Sequence, residues 1–191
     1  MRITISATAV LFCLLAGCGE NPAGGGTSVQ RTERDLPTVA FGQPAKGSNL
    51  QIKIGSVEER SKVGVYGMGP KLSPGETFVV IRYTLKNISA KPIERANQPD
   101  VELIDAKGQD YARDTESEVM EAIKNGDNSG TLNPNITSKQ TAVWRVDKAS
   151  FSKATWRLKV PLDATLDAAL DTLARWPLDS KAPPPLMFAL K

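Results

Sequence analysis

The chain has 191 residues, of which 40% are hydrophobic and 24% charged, with a formal net charge of +3. That length suits one domain with extensions, and so small an excess of positive charge gives no ground for a nucleic-acid partner, which calls for a clustered basic surface. Histidine is absent, which removes His-based triads, His metal ligands and the usual proton shuttle near neutral pH.

The first seventeen residues have the layout of a secretory signal. Arg2 supplies a positive start, and an apolar run follows from Ile5 to Ala16. The run is shorter than the roughly 20 apolar residues that a membrane-spanning helix needs. Leu15-Ala16-Gly17-Cys18 then resembles the lipobox of bacterial lipoproteins. That resemblance implies cleavage before Cys18 and lipidation of its thiol, with acyl chains such as palmitate. One acyl chain holds a protein only marginally, at roughly 10⁴ M⁻¹, whereas two or more hold it stably. Gly19, rather than Asp, follows the cysteine, which implies an outer-membrane address facing the periplasm if the cell is Gram-negative. The other cysteine, Cys13, lies inside the signal, so the folded part is expected to have no thiol and no disulfide. It must be held by a hydrophobic core.

Residues 18–48 are rich in Gly, Pro, Ser and charge, and read as a flexible tether. Order is expected from residue 49. Leu50, Ile52, Ile54 and Ser56 alternate with Gln51, Lys53, Gly55 and Val57 as in a half-buried strand. Gly64 to Pro70 is a glycine-rich loop without the Lys-Ser/Thr ending of a phosphate loop, so its glycines are read as turn formers. Pro74-Gly75 leads into the clearest strand, Glu76 to Ile88, with Val79, Ile81, Tyr83 and Leu85 on one side and Arg82, Thr84 and Lys86 on the other.

Val101 to Ile104 and Gln109 to Ala112 form a predicted hairpin around Asp105 to Gly108. Thr115-x-x-Glu118 is a capping-box signature. A short helix follows, with Val119, Met120 and Ile123 near one face, and Asn125-Gly126 stops it. Gln140 to Val146 and Thr155 to Val160 are further strands, and their Trp144 and Trp156 are assigned to the core. Leu162, Leu166, Ala169, Leu170 and Leu173 recur at helical spacing, predicting an amphipathic helix to about Arg175. An extended tail with Pro183 to Pro185 ends the chain. The predicted class is therefore mainly β, an antiparallel sandwich over residues 49–161, with a short helical insertion and a C-terminal helix and tail over 162–191.

The order of motifs is itself informative. Ile52 to Val57, Gly75 to Asn87, Val101 to Gly108 and Leu132-Asn133-Pro134 resemble the DUF4352 family over about residues 50–160. These are immunoglobulin-like extracytoplasmic domains, often found in bacterial lipoproteins. The family's usual Gly after Leu-Asn-Pro is Asn135 here, a residue that also tolerates positive φ. The resemblance implies no catalytic residues.

Two surfaces carry candidate chemistry. Asp100, Glu102, Asp105, Asp110, Asp114, Glu116, Glu118 and Glu121 crowd one segment, as hard-cation sites do, but no EF-hand spacing is present and a solvated acidic face is preferred. Arg82, Lys86, Arg145, Arg157 and Lys159 all fall opposite the apolar positions of their strands. If those strands share a sheet, they make a basic outer face able to dock an anionic envelope component or envelope protein. The alternative is ordinary solvation and pairing with the acidic segment. With no Ser-x-x-Lys or Gly-x-Ser-x-Gly motif, the chain reads as a non-catalytic, membrane-anchored binding module of the cell envelope without a cofactor. A small-ligand or calcium-binding periplasmic module is the alternative.

Overall fold

A computed structural model describes residues 36–65, 69–127, 130–162 and 185–191. The chain forms nine strands among these: β1 (Thr38–Val39), β2 (Pro44–Lys46), β3 (Leu50–Arg60), β4 (Glu76–Asn87), β5 (Glu102–Ile104), β6 (Asp110–Tyr111), β7 (Thr137–Asp147), β8 (Arg157–Val160) and β9 (Leu186–Ala189). One α-helix, α1 (Thr115–Asn125), lies between β6 and β7. The strands build two sheets, ordered β1-β9-β8-β5-β6 and β2-β3-β4-β7. All pairings are antiparallel except β1 with β9. The fold is thus the mainly β sandwich that the alternating strands predict.

The core forms where the period-2 apolar positions of the two sheets meet. Ile52, Ile54, Val79, Ile81, Leu85, Leu103, Trp144, Leu158 and Phe188 are fully buried there. Trp144 donates its indole N–H to the Tyr111 carbonyl at 3.1 Å, so its one polar atom is satisfied. Trp156 packs its ring 4.6 Å from that of Tyr111 and 5.2 Å from that of Phe151. Both tryptophans are core residues, as their strand positions imply.

Several boundaries differ from the sequence reading. The ordered part begins before residue 49, because Thr38–Val39 and Pro44–Lys46 are strands. The tail is not a free extension: Leu186–Ala189 lies between β1 and β8 inside the five-stranded sheet. Short strands without a long alternating run leave little periodic signal, which is why both looked like connecting chain. The register of β3 shifts between Ile54 and Ser56. This bulge at Gly55 turns Val57 inward and Ser56 outward, the reverse of simple alternation. Leu162, the first residue of the predicted helix, is buried in the core, and the rest of that helix and the signal over 1–17 lie outside the described residues.

Helix α1 is capped by Asp114, whose side chain accepts the Ser117 N–H, rather than by Thr115. Glu118 is diverted from the box: it accepts from the Val143 N–H at 3.0 Å and from Nε and Nη2 on one edge of the Arg113 guanidinium. Gly126 ends the helix in the left-handed region, φ 65°. The face buried by α1 is also unexpected. Ser117 and Glu121 are fully buried, whereas Val119 and Ile123 are 56% and 67% exposed. Polar partners on the sheet below, rather than hydrophobicity, decide which way the helix turns. Among the described residues no helix is long and apolar enough to cross a membrane.

Candidate functional site

The outer face of the β2-β3-β4-β7 sheet is read most directly from its register. Side chains two apart on a strand share a face, and residues paired across strands sit side by side. Five rows follow from the pairings: Arg60–Phe78–Arg145, Glu58–Val80–Val143, Ser56–Arg82–Thr141, Pro44–Lys53–Thr84–Lys139 and Lys46–Gln51–Lys86–Thr137. The first three rows and the last two have opposite characters.

The first rows are covered. Phe78, Val80 and Val143 are buried with Val63 in a second, smaller core beneath the loop after β3, with Leu72 packed against it. Two glycines let that loop approach closely. A Cβ at Gly69 would lie 2.8 Å from the Val63 side chain and carbonyl, and Gly64 has φ +82°. The Gly64 N–H donates to Glu121 at 2.8 Å. Glu121 also meets Arg60 at 3.0 Å, Arg82 at 3.3 Å and Lys124 at 3.7 Å. Glu58 joins the same two arginines, at 2.5 Å to Arg60 and 2.6 Å to Arg82. Burial pushes the Glu121 carboxyl up, but the Gly64 N–H, Arg60, Lys124 and Asn125 outweigh it and hold it below the ordinary carboxylate range. Glu58 is lowered in the same way: the Arg60 contacts, with Arg82 and Ser56, outweigh its desolvation. Arg145 pairs with Asp114 at 2.8 Å and lies over the Phe78 ring at 5.7 Å. The acidic helix thus neutralises the arginines it covers.

The last two rows are open and basic. Lys46, Lys53 and Lys139 are exposed and Lys86 is half-buried. Each comes from a different strand, and they alternate with Pro44, Gln51, Thr84 and Thr137 in a checkerboard. Lysines in one row stand two strands apart, roughly 10 Å, and the rows are roughly 7 Å apart. The rows hold no acidic side chain. Among the described residues none of the four lysines forms a side-chain hydrogen bond or ion pair. Where the two halves meet, a groove of about 460 Å³ is lined by Gly55, Arg82, Thr84, Asn125, Asp127 and Lys139, among others. Its charged residues are of both signs, and Asp127 there accepts a hydrogen bond from Thr141. Tyr83, beside it, is pushed up to about 12 by burial and stays neutral.

This corrects the expected basic face. Arg82, Lys86 and Arg145 lie on the four-stranded sheet, but Arg157 and Lys159 belong to β8 in the other sheet. The five do not form one surface. Arg82 and Arg145 are bound to the carboxylates above, and Lys159 pairs with Glu102 at 2.9 Å. Arg157 donates to the carbonyls of Ala154 and Trp156. Of the five, only Lys86 belongs to the open basic rows. Lys46 falls within the segment expected as a tether and Lys139 precedes the expected start of β7 at Gln140, so neither was legible as a strand residue. The signal available was Lys53, opposite Ile52 and Ile54 in the alternation of β3.

The acidic segment is likewise distributed. Asp100 and Glu118 bind Arg113, Asp105 accepts the backbone N–H groups of Lys107 and Gln109, and Asp114 caps α1. No three carboxylates converge on a metal-sized site among the described residues.

The model of the domain of unknown function DUF4352 matches residues 39–155. The uncharacterized protein YxkC of Bacillus subtilis is 37% identical over 130 residues, covering 66% of this chain and 72% of that protein. A conserved hypothetical protein of Bacillus anthracis has a crystal structure similar over 63% of this chain and 87% of its own, with a TM-score of 0.55 and 26% identity. The yjhA protein of Bacillus subtilis matches with a TM-score of 0.55 over 80% of this chain and 99% of its own, at 16% identity, a likeness of fold alone. The Leu-Asn-Pro turn behaves as the family resemblance implies, with Asn135 at φ 60° in the glycine position. A family match across most of the sandwich, together with the conserved hypothetical and uncharacterized relatives, places this chain in the DUF4352 family.

Proposed function

We propose that this protein is a lipid-anchored extracytoplasmic module of the cell envelope that acts by binding rather than catalysis, and that it holds an anionic envelope component on the lysine rows of its four-stranded sheet. The observation that carries this reading is the division of one sheet face. Among the described residues every arginine of the covered half is matched to a carboxylate, whereas the four lysines of the open half are matched to none. Exposed charge without a partner in its own fold gives a long-range field of one sign and speeds encounter with an anion. Gln51, Thr84 and Thr137, between the lysines, add donors for oxygen atoms. The anchoring half of the reading is supported by Leu15-Ala16-Gly17-Cys18.

Each half has its own test. Retention on immobilised inorganic polyphosphate is expected for the wild type at low salt and to fade above about 0.1 M salt, where the Debye length falls to about 10 Å. Reversing Lys46, Lys53, Lys86 and Lys139 to Glu abolishes retention, while reversing Lys62, Lys71, Lys107 and Lys148 leaves most of it. Equal loss in both sets would reduce the effect to net charge. For the anchor, labelled palmitate enters the wild type and not Cys18→Ser; label in both variants rejects Cys18 as the lipid site.

A further inference from the structure

The four lysines are ordered as well as clustered. Each strand of the sheet supplies one, on alternate sides of a line drawn across the strands. Lys46 on β2 and Lys86 on β4 stand in one row, and Lys53 on β3 and Lys139 on β7 in the other. Two residues away on its own strand, and so on the same face, each lysine has a neutral counterpart in the opposite row. Pro44 stands across from Lys46, Gln51 from Lys53, Thr84 from Lys86 and Thr137 from Lys139. Successive lysines are one strand across and two residues along, a diagonal of roughly 8 Å. Among the described residues the side chains of Gln51, Thr84 and Thr137 make no hydrogen bond, so their polar atoms are as open as the lysines. The two rows hold no aromatic side chain.

We infer that this face takes a linear phosphodiester polymer whose phosphates are joined by short hydroxylated linkers, lying across the four strands between the two rows. This rests on the lysine-face reading above and names its ligand class. The lysines set the repeat. A three-carbon linker puts six single bonds between successive phosphorus atoms, an extended span of about 7 Å at the advance per bond of an extended chain. That approaches the lysine diagonal, so each phosphate meets one ammonium. Phosphates joined directly, as in polyphosphate, are only two bonds apart and crowd several charges between neighbouring lysines. The neutral side chains set the linker. A hydroxyl between phosphates can bond to Gln51, Thr84 or Thr137, which a plain hydrocarbon linker cannot do. The cation type agrees. On the covered half arginine forks hold carboxylates, whereas a diester carries a single charge that the point cation of a lysine matches. Nucleic acid has the same six-bond repeat, but single strands are held by stacking bases on aromatic side chains, and these rows offer none.

The test is titration of the full chain with synthetic phosphodiester oligomers of equal charge and different linkers. Glycerol linkers carry the hydroxyl, propane-1,3-diol linkers lack it, and hexane-1,6-diol linkers widen the phosphate spacing to about 11 Å. The glycerol oligomer is expected to bind about fivefold more tightly than the propanediol oligomer, as one added hydrogen bond would give. The propanediol oligomer should exceed the hexanediol oligomer by about threefold, a graded effect because lysine stems are flexible. Gln51→Leu, Thr84→Val and Thr137→Val together should bring the glycerol oligomer down to the propanediol level and leave the propanediol oligomer unchanged, a split that mere loss of structure would not produce. Reversing the four lysines to Glu should abolish binding of all three oligomers. Equal affinity of the wild type for the three overturns the linker assignment and leaves the anion-binding reading standing. Tighter binding of a thymidine oligonucleotide of equal charge overturns it in favour of nucleic acid. No lysine-dependent binding of any oligomer or of polyphosphate ends both readings.

Discussion

Glu121 shows how one residue sets the character of a whole face. It is a carboxylate on the inward side of a helix, fully buried, and its charge is matched by a backbone N–H and the side chains of Arg60, Arg82 and Lys124. Breaking such a cluster strands buried charge, so Glu121→Ala should cost about 3 kcal/mol in chemical denaturation. Glu121→Gln should cost less, because the amide keeps part of the hydrogen bonding. The pH dependence has a definite sign. A carboxyl held below its unfolded value of about 4.3 stabilises the fold at pH above that value, and the contribution is lost as pH falls through the folded pKa. Thermal stability should hold from neutral to about pH 5 and drop below it, and the gap between wild type and Glu121→Gln should close in acid. A constant gap would mean that Glu121 is not ionised in the fold. None of this was visible in the sequence: Glu121 was one acid among eight, and its partners Arg60 and Gly64 lie some sixty residues earlier.

At the scale of elements, α1 inverts the usual rule. Its apolar residues Val119 and Ile123 face out, and Ser117 and Glu121 face in. Val119→Ser with Ile123→Ser is therefore expected to leave stability within about 0.5 kcal/mol. Asp114→Ala should cost about 1 kcal/mol or more, through loss of the cap and of the Arg145 pair. Equilibrium denaturation of both variants checks the orientation; a large loss in the first would place those side chains in a core. The helix itself was legible, because its start and stop signals are local. Its rotation was not, since that depends on the arginines of β3 and β4. The long strands β3, β4 and β7 were legible through alternation, apart from the bulge at Gly55. The short strands β1, β2 and β9 were not, because they gain order from neighbours distant in sequence.

For the molecule as a whole, the sandwich has one sheet face split into a neutralised half and a basic half. Strand alternation predicts a basic outer face of Arg82, Lys86, Arg145, Arg157 and Lys159, but these five are divided between the two sheets. Facing alone does not say which strands share a sheet, nor which charges the helix takes up. Register supplies both, and it moves the proposed interaction surface from Arg82, Arg145, Arg157 and Lys159 to Lys46, Lys53, Lys86 and Lys139. The most direct test is a residue-resolved NMR titration of the protein with inorganic polyphosphate at low salt. Amide shifts should concentrate on Lys46, Gln51, Lys53, Thr84, Lys86, Thr137 and Lys139, and should leave β8 and helix α1 unmoved. Shifts centred on Arg157 and Lys159, or no shifts at all, would contradict the lysine rows as the binding surface.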